Sequence, residues 1–124
     1  MAGSKVTFHG PVIGSNINID STLTNVKQMV GALPSAAADQ KKQLQELVDQ
    51  LRQELVQAPA EKKQEAEAIA KLTEELVSKV KEQLPRPLIE MAIKNLKEAG
   101  SWLVDVLPKV PAAIAAIASI AAML

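Results

Sequence analysis

The sequence predicts a mainly α-helical protein, an antiparallel helical hairpin or bundle of about four to five helices with a short β-prone amino-terminal segment. Hydrophobic residues make up 48% of the 124 residues, but only Phe8 and Trp102 are aromatic. The apolar residues are mainly Ala, Leu, Val and Ile, and Ala and Leu favour helices whereas aromatic residues favour strands. Apolar residues also recur every three or four positions through the middle of the chain, which is the period of an amphipathic helix.

The charges divide the chain into three predicted zones. Of the 28 charged residues, 19 lie between Asp39 and Arg86, and none lies between Val110 and Leu124. Residues 1–20 form a Gly-punctuated, β-prone head, and residues 21–107 form a helical bundle with a charged hairpin over residues 35–84. Residues 108–124 form an apolar, Ala-rich carboxy-terminal helix. A chain of this length fits one domain.

The head is predicted to form very short strands. Residues 6–9 and 16–20 alternate apolar with polar side chains, which is the two-residue period of a half-buried strand. Because an isolated hairpin is only marginally stable in water, such strands need a third strand or another subunit as a partner. A first helix follows, capped by Asp20 or Ser21 and ended by Pro34.

The next two helices are predicted to pack on each other as an antiparallel hairpin. One begins at Ser35, and the other runs from about Ala60 to Leu84 after a break at Pro59. The short break favours a fold-back with a coiled-coil-like seam. On the outer face, Glu67 precedes Lys71 by four residues, a spacing that favours an ion pair. The predicted self-association seam consists of Leu44, Val48, Leu51, Leu55, Ile69, Leu72, Leu76 and Val80.

A fourth helix is predicted after Pro87, with a soft interruption at Gly100, and an apolar segment follows Pro108. The final 15 uncharged residues would give about 22 Å of helix, too short to cross a hydrocarbon core of about 30 Å. This segment is therefore predicted either to be buried in protein or, with residues from about 100 onward, to enter a membrane. Asp105 and Lys109 stand four apart and could pair or face a lumen. The residues predicted for tail burial or membrane contact are Trp102, Leu103, Ile114, Ile117, Ile120 and Leu124.

The sequence predicts no catalytic, cofactor or metal site. The chain has no cysteine, which excludes disulfides and thiolate zinc sites. His9 lacks a local partner, so it is interpreted as a polar strand residue, with a pH-sensitive contact as the alternative. The Gly10–Gly14 stretch lacks the motif of a phosphate-binding loop. The 14 basic and 14 acidic residues cancel, which argues against nucleic-acid binding. No small-molecule substrate is recognisable.

The head carries the letters FHGPVIGSNINI over residues 8–19, followed by a charged helical pair and an apolar end. This order of features resembles uncharacterised small bacterial proteins and carboxy-terminal modules of multidomain signalling or defence proteins. The resemblance covers most of the chain in outline and contains no specific motif, so it transfers no site residue. It implies an association with bacterial defence.

These observations lead to two hypotheses from different classes. The first is a non-catalytic structural, adaptor or assembly protein that forms a homo-oligomer. The second is a membrane-active, pore-forming effector that uses the apolar carboxy-terminal region. Residues 1–11 lack the pattern of a secretory signal, so a cytoplasmic location is expected, with membrane association as the alternative.

Overall fold

Prolines and helical apolar spacing define the secondary structure. The computed structural model describes the backbone of residues 2–34 and 36–124 and the side chains of residues 14–34 and 36–124. Short 3₁₀ turns precede the third helix, at Ala60–Lys62, and follow the fourth, at Ser101–Leu103. Over the described residues there are five α-helices: α1 (Ala2–Gly31), α2 (Ala38–Leu55), α3 (Lys63–Lys81), α4 (Arg86–Gly100) and α5 (Lys109–Met123). The predicted mainly α-helical bundle is confirmed at this level.

The predicted strands are wrong, because the backbone of residues 2–34 and 36–124 contains no strand. Residues 16–20 belong to α1, where Ile19 is fully buried and Ile17 is 58% exposed. Two residues apart, these side chains would share one face of a strand, but on a helix they point in different directions. Ile19 instead continues a helical series with Leu23, Val26 and Val30, all fully buried. This series extends α1 back through Asp20 and Ser21, the residues predicted to cap it.

The other predicted strand, residues 6–9, lies within the range of α1, but its side chains are outside the described residues. The same holds for His9 and for the Gly10–Gly14 stretch up to residue 13. The predictions about these side chains therefore stay predictions.

The helices form a closed circuit in which each packs mainly on two others. The order around the circuit is α1, α3, α4, α5, α2 and back to α1. Contacts along the chain pair consecutive helices antiparallel: Asp20 meets Arg52 and Lys27 meets Asp49 between α1 and α2. Because five is an odd number, one neighbouring pair in such a circuit must be parallel.

The parallel pair is α1 and α3. Ser15 bonds Glu67, and ten residues further along α1, Asn25 bonds Glu74. The two helices therefore run in the same direction, side by side.

The predicted seam between α2 and α3 is wrong as a direct pairing. These consecutive helices touch only slightly, because both pack on α1 instead. The sequence predicted this first helix to begin only at Asp20 or Ser21, and it did not predict that the helix would pack on both α2 and α3. The break at Pro59 is nevertheless where it was predicted, between α2 and the 3₁₀ turn that leads into α3.

Two further turns explain how the chain reverses around α4. After α3, Gln83 adopts a φ of 56°, and Leu84 N–H donates to the Lys79 carbonyl while Gln83 N–H donates to the Val80 carbonyl. This is the Schellman helix ending, in which a residue other than glycine occupies the left-handed position. At the other end of α4, a Cβ on Gly100 would lie 2.8 Å from Ile114 Cδ1. Glycine therefore lets α4 and α5 approach closely where the sequence predicted an interruption.

Candidate interaction surface

The residues of the predicted self-association seam lie inside a single chain. All are buried except Leu72, which is partly buried against the core. Their contacts are made with the neighbouring helices of the circuit, so a second copy cannot reach them in this structure. The seam residues are Leu44, Val48, Leu51, Leu55, Ile69, Leu72, Leu76 and Val80.

Most of the predicted tail residues are also buried in the chain. Leu103, Ile114, Ile117 and Ile120 belong to the core, and Leu124 packs against it. The helix α5 rests on α2 and α4. No helix in the described part of the chain has both the length and the apolar character needed to cross a bilayer.

Asp105 and Lys109 do not form the predicted pair on one helix. Both are exposed, and the chain between them leaves the helical conformation at Leu107, next to Pro108. Among the described residues there is no ion pair between their side chains. The i to i+4 geometry therefore fails because α5 begins only at Lys109.

Trp102 differs from the other tail residues because it points outward. It is 47% exposed, and Leu88 and Met91 on α4 are 43% and 59% exposed. At about 100° per residue, these three side chains lie within about 60° of one another around the helix axis. Trp102 is in the 3₁₀ turn that continues α4. Leu88, Met91 and Trp102 are called the α4 stripe below.

The α4 stripe is the second apolar face of a helix that already buries one. The inner face of α4 places Ile89, Ala92, Leu96 and Ala99 in the core. Beyond the Trp102 end of the stripe, Val104 and Val106 are 47% and 42% exposed. Together these five exposed residues leave on the order of 400 Å² of apolar surface, which is the size of the largest apolar patch on a typical monomer, a patch that is often functional. The sequence interpretation named Trp102 but not Leu88 or Met91, although their spacing was visible.

A polar cluster lies between α1 and α3. Lys63 is 4% exposed, and its Nζ donates to Asn16 Oδ1 at 2.6 Å and to the carbonyl of Val56, at the end of α2. Burial lowers the pKa of Lys63 below its usual 10.5. The cluster ties α1, α2 and α3 together at one end of the bundle.

Glu67 occupies the next turn of α3 and faces α1. Its carboxylate accepts hydrogen bonds from Ser15 Oγ at 2.7 Å and from Asn18 Nδ2 at 2.8 Å. The predicted ion pair with Lys71 is absent among the described residues, where Lys71 instead approaches Glu74 at 3.9 Å. Sequence reasoning missed this cluster because it did not treat residues 15–18 as helical. Recognition of α1 would have aligned Ser15 and Asn18, three residues apart, on one face.

Two open grooves complete the surface. One, of about 550 Å³, runs between α2 and α5 and is lined by Leu47, Glu54, Lys109 and Ala112 among others. The second, of about 630 Å³, lies where the turn after α3 meets Met123 and Leu124. Both are shallow channels between helices, lined by long flexible side chains or small ones.

Comparisons of the chain with protein-family models, with curated proteins and with solved structures gave no match.

Proposed function

We propose that this protein is a non-catalytic assembly module that self-associates through the α4 stripe. The observation that supports this is the pair of apolar faces on α4, one buried in the core and one exposed. An amphipathic surface helix needs only the inner face to hold its fold. The outer face therefore has no role within one chain, whereas a protein contact would remove its apolar area from water.

This proposal moves self-association from the predicted seam to a different surface. The seam residues are buried within one chain, whereas the stripe brings three exposed large apolar side chains together along one helix and the turn that continues it. On its solvent side, the stripe is bordered by Lys94 and Glu98, which are both exposed and of opposite sign. A helix that binds an anionic membrane surface is usually rich in Lys and Arg on its polar face. Mixed charges at the edge of an apolar patch favour a protein partner instead.

The test is a measurement of molar mass as a function of protein concentration. A contact of this size belongs to the low end of interface areas, so association is expected at concentrations on the order of 10 µM or above. Light scattering or sedimentation equilibrium of the full chain should show a reversible oligomer. A compact monomer throughout this range contradicts the proposal.

A pair of matched variants locates the contact. Met91→Asp places a charge in the stripe and should weaken association at least tenfold, because burying an uncompensated carboxylate opposes contact. Met123→Asp is the control, since Met123 is similarly exposed, at 66%, but lies at the end of α5. Equal weakening by both variants would remove the stripe from the interface.

Vesicle flotation provides the membrane arm of the same experiment. The chain should remain unbound to vesicles of neutral and of anionic lipid while it self-associates in buffer. Binding to vesicles that Met91→Asp abolishes, without self-association in buffer, would assign the stripe to lipid and overturn the proposal.

A further inference from the structure

We infer that two copies of the chain pack α4 against α4 in an antiparallel arrangement, with the two-fold axis passing close to Asn95. This inference rests on the proposed function and adds to it the partner and the geometry. It is supported by the symmetry of the stripe, by the charges on its flank and by the size of the patch.

The stripe is nearly symmetric about Asn95. Leu88 lies seven residues before Asn95 and Trp102 seven residues after it, so each is two helical turns, or about 10 Å, from the centre. Asn95 is exposed and falls within the same sector of the helix surface. A two-fold contact requires a patch that is complementary to itself. An antiparallel pairing centred on Asn95 places Leu88 of each copy against Trp102 of the other.

The charges beside the stripe select the antiparallel orientation. Lys94 and Glu98 lie about 40° apart on the outer flank of α4. Neither forms an ion pair within the described part of the chain. In the antiparallel pairing centred on Asn95, Lys94 of one copy lies opposite Leu96 of the second copy. Glu98 of the second copy is two residues further along, at about 3 Å along the axis. Two reciprocal attractive Lys94–Glu98 pairs result, and they outnumber the one repulsive Lys94–Lys94 pair, which has the same offset of about 3 Å along the axis. In a parallel two-fold pairing, the charged flanks of the two copies lie on opposite sides of the contact, so neither attractive pair forms.

Asn95 gives the pairing a defined register. Its side-chain amide has both a donor and an acceptor, so two copies can bond each other across the axis. A single polar residue in an apolar helix seam is a known means of fixing alignment at some cost in stability. Any shift of the helices would separate the amides and bury them without partners.

The area of the patch fits a weak dimer. The stripe with Val104 and Val106 offers on the order of 400 Å² of apolar surface per copy. A standard interface buries about 800 Å² per partner, of which a polar rim forms a large part. The flanking charged residues can supply that rim.

Charge exchange tests the orientation. Lys94→Glu alone and Glu98→Lys alone should each weaken dimerisation about three- to tenfold, because each sets like charges against each other across the antiparallel contact. The double variant Lys94→Glu/Glu98→Lys should return the Kd to within about twofold of the parent. A parallel contact predicts little change in the Kd of any of the three variants, because the charged flanks of its two copies lie on opposite sides of the contact. Thermal unfolding of dilute protein provides the control for changes within the monomer.

Disulfide cross-linking tests the position of the two-fold axis. Because the chain has no cysteine of its own, each variant carries a single thiol. Under mild oxidation, Asn95→Cys should link to itself, because its two copies meet at the axis. Leu88→Cys should not, because its copies stand about 21 Å apart in the antiparallel dimer, far beyond disulfide reach. Self-linking of both variants would mean a parallel dimer, and it would overturn the inference while leaving self-association standing. Absence of any dimer would remove the proposed function and the inference together.

Discussion

The α1 side and the α4 side of the bundle use polar and apolar residues in opposite ways. Between α1 and α3, polar side chains lie within the contact and find partners there, as Lys63 does with Asn16 and Glu67 with Ser15. On α4 and the turn that continues it, Leu88, Met91 and Trp102 are exposed to solvent. Every buried side-chain nitrogen or oxygen atom in the described part of the chain has a hydrogen-bond partner. The polar side is therefore complete within one chain, whereas the apolar side is not.

The difference shows which surface a fold of this kind can offer to a partner. The α1–α3 contact contains polar groups that bond across it, since Ser15, Asn16 and Asn18 of α1 all bond to side chains of α3. These hydrogen bonds already use the donors and acceptors of the side chains between α1 and α3, so few remain for a partner protein. The α4 stripe, in contrast, gains from any contact that removes it from water.

The largest expected effect is a difference in stability between variants of the buried face and of the exposed face of α4. Leu96→Ala empties a fully buried position of the inner face and should lower the free energy of unfolding by about 2–5 kcal/mol. Met91→Ala shortens an exposed side chain and should change the free energy of unfolding by less than about 0.5 kcal/mol. Urea denaturation of dilute protein measures both.

The comparison between the two variants is decisive because they lie five residues apart on one helix. A large loss for Met91→Ala in dilute protein would mean that the stripe supports the fold, and it would weaken the case for a docking surface. In concentrated protein, Met91→Ala should become the more harmful to self-association, and Leu96→Ala should act only through stability.

The sequence predicted the helical segments better than their arrangement. The prolines at 59 and 108 mark breaks in the chain, and the apolar spacing in α2, α3 and α5 corresponds to buried positions. The order of packing was not predictable in the same way. A hairpin between consecutive helices is the usual outcome, but here α1 takes both α2 and α3 as neighbours. The sequence predicted only the part of α1 after Asp20, because the alternation near Ile17 and Ile19 indicated a strand.

Only part of the candidate surface could be predicted from the sequence. Trp102 was predicted to be buried or to contact a membrane, but whether it faced the core depended on which side of α4 met α3 and α5. Leu88 and Met91 fit an apolar helix as well as Ile89 and Ala92 do, so spacing alone could not tell the outer face from the inner one. Nothing in the sequence indicated that Lys63 is buried, because a lysine at the start of a charged helix is ordinarily solvated.

A smaller effect is expected on the polar side, from Glu67→Ala. The substitution removes the acceptor of two hydrogen bonds and leaves Ser15 Oγ and Asn18 Nδ2 without their partner. Because Ser15 is buried and Asn18 is exposed, only one of these losses carries a full penalty, and the free energy of unfolding should fall by about 1–2 kcal/mol.

Lys71→Ala provides the control, since Lys71 is exposed on the same helix and its only ion pair among the described residues is a long contact with Glu74. It should change stability by less than about 0.5 kcal/mol. Equal effects of the two variants would show that the α1–α3 bonds add nothing beyond the general charge of α3.

The last prediction concerns alkaline pH and Lys63. Burial lowers the pKa of Lys63 in the folded chain, while the unfolded chain keeps a value near 10.5. Between the two values the unfolded state binds more protons, so the Lys63 contribution to stability rises with pH and levels off above 10.5. The neutral amine still has two N–H donors, which suffice for Asn16 and the Val56 carbonyl. The difference in unfolding free energy between the parent and Lys63→Met, followed from pH 7 upward, should therefore shift in favour of the parent. A shift in the opposite direction would mean that the ammonium charge stabilises the α1–α3 contact, and that this side of the bundle is held by electrostatic attraction more than by hydrogen bonds.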